Sequence, residues 1–241
     1  SLSIVVSILN IFDVRTEIKL HNKFKELLGK NINLVIDVGA HKGEFILKYC
    51  MKNNIKNAMS FEPNPEIFKI LDKKTKDLQN KGILKIFNFG LGTEKTDKIL
   101  NVNMDSASSS INKLNENSKY FKRKYKILNF MNSKKISKPL KIKILNLDSV
   151  LKDSNFKVID LLKIDTEGYE FNVLKGIGEK LGDIKVIYFE HHFDDMVIKN
   201  YKLSDIHNFL KLNNFKKCFK VKMAFRKSFE YIYYNTSLLN L

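Results

Sequence analysis

The stretch Leu34–Phe45 reads LVIDVGAHKGEF. A β-branched apolar run leads through Asp37 to a glycine at Gly39, and His41 stands where a nucleotide-binding turn often carries its second glycine. The run predicts a buried strand, and GEFILKYCMKNN behind it predicts a helix. The turn between them reads D-x-G-x-H-x-G over Asp37, Gly39, His41 and Gly43, with Ala40 inside it. It lacks the G-x-x-x-x-G-K-[ST] run of a phosphate loop. It also breaks the G-x-G-x-x-G pattern that seats a dinucleotide pyrophosphate, and it sets an acid where a diphosphate would be repelled. An acid beside a glycine turn suits an amino or sulfonium group instead.

Outward from this turn, strand-like and helix-like segments alternate. NAMSFEP predicts a second strand ended by Pro63. NPEIFKILDKKTKDLQN predicts a helix with Pro65 near its first turn, and ILKIFNF a third strand cut off by Gly90 and Gly92 around Leu91. This β-α-β-α-β order implies right-handed crossovers and a parallel sheet. Upstream, TEIKLHNKFKELLG has helical spacing at Ile18, Phe24, Leu27 and Leu28 and stops at Gly29. Downstream, VIDLLKID and IKVIYFE read as strands around the helix EGYEFNVLKGIG. LSDIHNFLKLNN reads as a helix with Ser204 as its cap, and FKKCFKV and SFEYIYYN as a closing pair of strands. The middle breaks the rhythm: TDKILNVNM and KPLKIKILNL read as two extra antiparallel strands around DSASSSIN and KYFKRKYKILNFMNSKK. The expectation is one α/β domain over residues 1–241, doubly wound on a mostly parallel seven-stranded sheet, with a helical segment over 1–30 and a hairpin-like insertion over 96–147.

Composition narrows the classes further. The chain of 241 residues is 44% hydrophobic and 29% charged, ordinary for a globular protein with a real core. Its formal net charge of +17 invites a nucleic-acid reading. Against it, only Arg15, Arg123 and Arg226 among the 43 basic residues are arginines, and bidentate readout of phosphates and bases favours arginine. Solvated lysine is the plainer reading, with weak attraction to anionic glycans, nucleic acids or a membrane surface left open. Cys50 and Cys218 lie far apart and outside any metal-ligand spacing, which fits a reducing, cytoplasmic setting. No apolar run reaches the ~20 residues of a membrane span. SLSIVVSILNIF at the start reads as a packed helix or strand, with a lid or a peripheral membrane contact as the alternative.

In an open α/β sheet, ligands sit beyond the carboxyl ends of the strands. The residues after Val38, Phe61, Phe89, Ile164 and Phe189 are Gly39, Glu62, Gly90, Asp165 and Glu190, and three of these are acids. Glu62, followed by Pro63, ends the second strand where it can accept bonds from both hydroxyls of a ribose. Acid, glycine turn and second acid together fit S-adenosylmethionine better than NAD.

At this point a resemblance becomes specific. IDVGAHKGEF, FEPNPEIFKIL, SASSSI, LDSVL and IDLLKIDTEGYEFNVLKG, in this order between Leu34 and Glu190, resemble the FkbM family of S-adenosylmethionine-dependent methyltransferases. The KIDTEGYE block is the most distinctive, and His41 in place of glycine is usual for that family. The resemblance implies a class I, Rossmann-like methyltransferase fold, S-adenosylmethionine as cofactor, and O-methylation, most often of a sugar or glycan hydroxyl. It also implies that Asp165 points into the cleft and that Ser108 and Ser109 lie on a cleft-facing loop.

Methyl transfer is an in-line displacement, and a sugar hydroxyl needs a general base as attack develops. Asp165, Glu167, Glu190, His191 and His192 are the candidates. Alternation sets Lys163 and Asp165 on one strand face, with Lys163 readable as a paired lysine. Glu167 orients the donor's amino group or the acceptor, or is a plain helix-N-terminal charge. Adjacent His191 and His192 face opposite ways, so at most one enters the cleft. The same cluster has ligand types for a divalent ion such as Mg²⁺, but its spacing matches no metal motif, and metal ranks below metal-free catalysis. His41 is read as shaping its loop. Tyr120, Phe121, Tyr125 and Phe130 stack on sugar faces or belong to the core. The expected partner is a small-molecule or glycan acceptor. A nucleic-acid methyltransferase is favoured by charge but lacks an N/D-P-P-Y/F motif and a separate RNA-binding module. An NAD-dependent sugar enzyme lacks a well-placed Tyr-x-x-x-Lys pair. A non-catalytic binding protein of the same fold is opposed by intact Asp37, Gly39, Glu62 and Asp165. Oligomeric state is not legible.

Overall fold

Strand β1 (Asn31–Val38) is buried throughout from Leu34 onward, and it sits near the middle of a seven-stranded sheet. The computed structural model describes residues 2–102, 109–113, 115, 117, 118, 122, 138–152, 154–223 and 227–240, without the side chains of 2–13 and 138. Around β1 stand β2 (Asn54–Phe61), β3 (Leu84–Phe87), β7 (Ile159–Ile164), β8 (Ile184–His192), β9 (Phe215–Lys222) and β10 (Ser228–Asn235). The order is β3-β2-β1-β7-β8-β10-β9. β1 pairs in parallel with β2 and β7, β7 in parallel with β8, and β10 runs antiparallel to both β8 and β9. This is the doubly wound, mostly parallel sheet of a Rossmann-like class I methyltransferase, with the closing antiparallel pair where the two aromatic-rich runs predicted it.

β4 (Gly90–Leu91), β5 (Thr96–Val102) and β6 (Lys138–Leu145) make a second, three-stranded sheet in the order β4-β6-β5. β5 and β6 are antiparallel, as expected from the sequence. The third strand of the main sheet ends at Phe87, short of Phe89, because Gly90 and Leu91 leave it to pair with Ile144 and Leu145. β8 runs longer than expected, so Glu190 lies within it and does not follow it.

The sheet is covered on both faces. One face carries Leu34, Ile36, Val38 and Phe189 against Ile206 and Leu210 of α7 (Leu203–Leu212). The other carries Ile32 and Val35 against α2 (Glu44–Lys52) and α1 (Leu2–Leu28). The buried stripe of α1 is Leu20, Phe24 and Leu27, spaced four and three residues apart. Ile18, grouped with that face on spacing alone, points outward at 49% exposure. Among the described residues no helix is long and apolar enough to cross a membrane.

Local chemistry moved three boundaries. Asn64 caps α3 (Pro65–Lys74) by accepting the Glu66 N–H at 3.0 Å. The continuous helix read from the sequence breaks at Thr75, whose hydroxyl bonds back to the Leu71 carbonyl at 2.8 Å, and α4 (Lys76–Asn80) restarts beyond it. Ser204 is not the cap of α7: that helix begins one residue earlier, at Leu203, and the Asp205 carboxylate accepts the Lys202 N–H at 2.8 Å. The helix after β7 shrinks to α6 (Glu170–Lys175), followed by a 3₁₀ turn over Gly178–Asp183. α5 (Leu147–Leu151) links the small sheet to β7.

The loop after β1 is pinned from two sides. The Gly39 N–H donates to the Phe61 carbonyl at 3.0 Å, and the Asp165 N–H donates to the Val38 carbonyl at 3.0 Å. Gly39 has φ 75°, and a Cβ there would lie 1.8 Å from the Asp165 carbonyl oxygen. Only glycine fits. Gly39→Ala should lower unfolding stability by about 3 kcal/mol in a urea titration.

Candidate active site

The carboxyl ends of β1, β2, β7 and β8 open into a cavity of about 510 Å³, a size that suits a cofactor-sized molecule. Gly39, Ala40 and His41 line it from the first loop, Glu62 and Pro63 from the end of β2, and Gly90 and Leu91 from β4. Ser109, Asp165, Glu167 and Glu190 also line it. Four sequence candidates do not: Asp37, Gly43, His191 and His192. Ser108 and the aromatics Tyr120, Phe121, Tyr125 and Phe130 lie outside the described residues.

Asp37 is fully buried beneath the loop instead of facing a ligand. The reason is Lys163, directly beside it in the β1–β7 register. The Lys163 Nζ lies 3.0 Å from Asp37 Oδ1, donates to the Gly39 carbonyl at 2.8 Å, and lies 3.7 Å from Asp165 Oδ2. Burial pulls the Lys163 pKa down, but Asp37 and Asp165 more than offset this and hold it above its ordinary value. Lys163 is therefore a fixed charge under the loop, not a base. Its pairing with Asp165 bears out the shared strand face.

Gly43 is the residue before α2, in the left-handed region with φ 85°. His41 also has positive φ, at 49°, and its Nδ1 lies 3.3 Å from the Glu44 carboxylate. Glu44 also accepts the Lys42 N–H at 3.0 Å. Partial burial would raise the Glu44 carboxyl, yet these bonds bring it down to about 2. His41 thus shapes its own loop.

Glu62 is oriented by backbone donors. Its Oε2 accepts the His41 N–H at 2.9 Å and its Oε1 the Asn64 N–H at 2.8 Å. Each oxygen keeps a further acceptor site for a ligand in the cavity. Burial pushes the Glu62 carboxyl up, and the two N–H bonds pull against it. A buried carboxylate held this way at the end of β2 fits a pair of ribose hydroxyls. With the pinned Gly39–His41 turn lining the same cavity, the residues present fit S-adenosylmethionine.

Glu167 has φ 51°, a left-handed conformation for a non-glycine residue. Its carbonyl accepts the Ser110 hydroxyl at 2.7 Å, and the next residue is held by Asn112 Nδ2 on the Gly168 carbonyl at 2.6 Å. Its carboxylate lies 3.4 Å from His192 Nε2, which also lies 3.5 Å from Glu190, while His192 Nδ1 lies 3.6 Å from Asp194. Burial raises the Glu167 pKa; His192 opposes this and Asp165 and Glu190 add to it, leaving it at about 8. Burial would lower His192, but Asp194 and Glu167 raise it to about 10. Alternation along β8 turns His191 to the opposite face, beside Phe193 and Tyr201, where burial lowers it to about 3. Among the described residues, no group of three or more His, Cys, Asp or Glu side chains is arranged to hold a metal ion.

Sequence reading missed one whole wall. Leu20 and Phe24 of α1, Phe45 and Tyr49 of α2, Tyr188 of β8 and Glu230 of β10 all line the cavity. Glu230 was the findable one: it is a lone acid inside the aromatic run SFEYIYYN.

The fold and the cavity define a class I methyltransferase, and comparison with known proteins agrees. The profile of the methyltransferase FkbM domain matches residues 37–217. The chain belongs to that family. Among solved structures, a methyltransferase FkbM from Methylobacillus flagellatus KT superposes with a TM-score of 0.54 at 15% identity, covering 85% of this chain and 44% of that one. The chain thus spans less than half the length of that relative. A putative tRNA methyltransferase from Streptococcus pneumoniae, solved with S-adenosyl-L-methionine, gives 0.51 at 10% identity, covering 90% of this chain and 72% of that one. TrmK from M. capricolum, solved with S-adenosyl-homocysteine, gives 0.50 at 10% identity, covering 89% and 67%. At such identities these structures speak to the fold alone. No curated protein matches the sequence significantly.

The buried pair under the loop is separable by mutation. Lys163→Met takes away the counter-charge of the fully buried Asp37, whose carboxyl burial already pushes up, and should destabilise the protein by about 3–5 kcal/mol. Adding Asp37→Asn should restore a large part of that loss, read as a double-mutant cycle in urea unfolding.

Proposed function

We propose that the chain is an S-adenosylmethionine-dependent O-methyltransferase acting on a hydroxyl of a sugar, glycan or related small molecule. The observation that carries the donor half is Glu62, buried, fixed by two backbone N–H groups and lining the cavity next to the Gly39 turn. S-adenosylmethionine, when bound, supplies an electrophilic methyl group on a sulfonium. The chain's own part is to hold the donor by Glu62 and the Gly39–His41 loop, to present Asp165 towards the donor's positive charge, and to take the acceptor's proton at the Glu167 carboxylate. Glu190 lines the acceptor side, and His192 stands behind Glu167. Ser109 lines the donor side with Leu91.

The cavity's charge supports a small, uncharged or cationic acceptor. Glu17, Glu44, Glu62, Asp165, Glu167, Glu190 and Glu230 line it against Lys48, Lys52 and Lys163. This inverts the chain as a whole, where 43 basic residues outnumber 26 acidic ones. A phosphate backbone entering such a cavity would be repelled. Net charge of +17 is the one feature that favours a nucleic-acid acceptor, and it resides outside this cavity. Free Cys50 and Cys218 accord with a cytoplasmic setting.

Calorimetric titration with S-adenosylhomocysteine tests the donor, with NAD in parallel. Micromolar binding of the first alone is expected, weakened about tenfold or more in Glu62→Ala. Binding of NAD alone would overturn the reading. The base assignment predicts that methyl transfer rises with pH and levels off above about 8, as the raised Glu167 carboxyl ionises. Glu167→Gln should lower kcat by about 10²–10⁴ and remove that limb.

A further inference from the structure

One imidazole meets three carboxylates behind the cavity wall. His192 Nε2 lies 3.4 Å from Glu167 and 3.5 Å from Glu190, and its Nδ1 lies 3.6 Å from Asp194. Nε2 is buried and His192 does not line the cavity, so a molecule bound there meets Glu167 and not the ring. Both ring nitrogens are thus turned to carboxylates. A neutral imidazole carries one N–H and would aim a lone pair at a carboxylate from its other nitrogen. The doubly protonated ring offers a donor on both sides, and the arrangement selects that form.

The end of β8 holds the ring in this place. Lys199 donates its ammonium to the His192 carbonyl, and Asp194 Oδ1 accepts the Met196 N–H at 3.0 Å, which leaves Oδ2 to face the ring. Burial would raise the Asp194 carboxyl, but His192 and the Met196 N–H hold it below its ordinary value. The charged groups around the ring come from β8, from the loop beyond it, and from the turn and helix after β7. Glu190 stands on the first, Asp194 and Lys199 on the second, and Asp165, Glu167 and Glu170 on the third. His191 faces the other side of the strand. Burial would lower the His192 pKa, but Asp194, Glu167, Glu190 and Glu170 outweigh it. Lys199 acts on Glu170 and Asp194 before it acts on Glu167, so His192 is the cation that Glu167 meets directly.

We propose that His192 is a positioning residue that acts by its standing charge: it holds Glu167 at the cavity as a carboxylate ready to take the acceptor's proton, and Asp194 keeps the ring charged and in place. The inference rests on the base role given to Glu167 above, and it removes His192 from the candidate bases. Burial, Asp165 and Glu190 push Glu167 towards its neutral form, and a neutral carboxyl is no base. The imidazolium is the charge that opposes them. It keeps its proton up to about 10, above the value of about 8 for Glu167, so Glu167 ionises while the ring is still charged. A ring that already carries both protons cannot take the acceptor's.

The test is a nuclear magnetic resonance titration of the full chain, isotope-labelled and without donor or acceptor. Of its five histidine rings, one should keep both N–H groups through about pH 8 and be missing from the spectrum of His192→Gln. Asp194→Asn, whose amide oxygen can still accept the Met196 N–H, should lower the titration of that ring by at least about one pH unit. The Glu167 carboxyl, identified by its loss in Glu167→Gln, should titrate at least about one unit higher in His192→Gln than in the parent chain. A histidine with a packing role alone would shift neither value. A His192 ring that is neutral at about pH 7, or a Glu167 midpoint left unchanged in His192→Gln, would overturn the proposal. Should His192→Gln fold poorly, Asp194→Asn decides: a ring titration that does not fall there overturns the proposal equally. Failure of S-adenosylhomocysteine to bind would bring down the methyltransferase reading, while the two titrations still judge the role of the ring.

Discussion

The buried ammonium of Lys163 is the interaction on which the site depends. It ties the end of β1 to the end of β7 through Asp37 and Asp165, and it reaches over the strand end to the Gly39 carbonyl. The turn after β1 therefore has no freedom: its N–H groups are taken by β2 and its carbonyl by Lys163. A ligand meets a preformed surface and does not have to order it. Burying two opposite charges is expensive unless the remaining donors and acceptors are satisfied. Here the ammonium meets Asp37 Oδ1 and the Gly39 carbonyl while Asp37 Oδ2 has no hydrogen-bond partner, so the expense is concentrated under the one loop that must keep its shape.

This pairing explains why the sequence could be read for the fold better than for the role of its most prominent acid. Periodicity and turn residues located nearly every strand, because burial on both faces enforces unbroken apolar runs such as LVIDV and VIDLL. They also placed Asp165 and Lys163 on one face and Glu62 at the end of β2. Asp37 looked like a ligand contact because an acid beside a glycine turn is rare without a reason. The reason is a lysine 126 residues further on, and no local pattern carries that information. Glu230 is hidden in the same way, since only pairing of β10 with β8 brings it to the cavity. The breaks at Thr75 and after Phe87 were set by a single hydroxyl and by a second sheet competing for Gly90 and Leu91.

Charge has two separate distributions in this molecule. Lysines on exposed positions, such as Lys216, Lys217, Lys220 and Lys222 along the edge strand β9, keep that edge from pairing with another chain. They also attract anions to the outside, over a distance that salt limits to about 10 Å. The cavity is the opposite. Its acids concentrate cations, which is the sign a sulfonium donor requires. A composition average of +17 therefore describes the solvated surface and misdescribes the site.

The segment between β4 and α5 bears on the same site. Ser110, bridged to Asn101 of β5, donates its hydroxyl to the Glu167 carbonyl, and Asn112 donates to the Gly168 carbonyl. From the other side, the Glu170 carboxylate accepts the Gly168 N–H at 2.8 Å and the Thr166 hydroxyl at 3.1 Å, and is itself held by the Tyr201 hydroxyl at 2.5 Å. A left-handed glutamate costs about 1–3 kcal/mol, and it persists only where its surroundings over-determine it. Two independent sets of hydrogen bonds do so here, one from the Ser110–Asn112 segment bridged to β5 and one from Glu170 of α6. The segment around Ser110 and Asn112, bridged to β5, thereby helps to fix Glu167 at the cavity. Without its bonds the Glu167 backbone would relax to an ordinary conformation, and its carboxylate would leave the position between the cavity and His192.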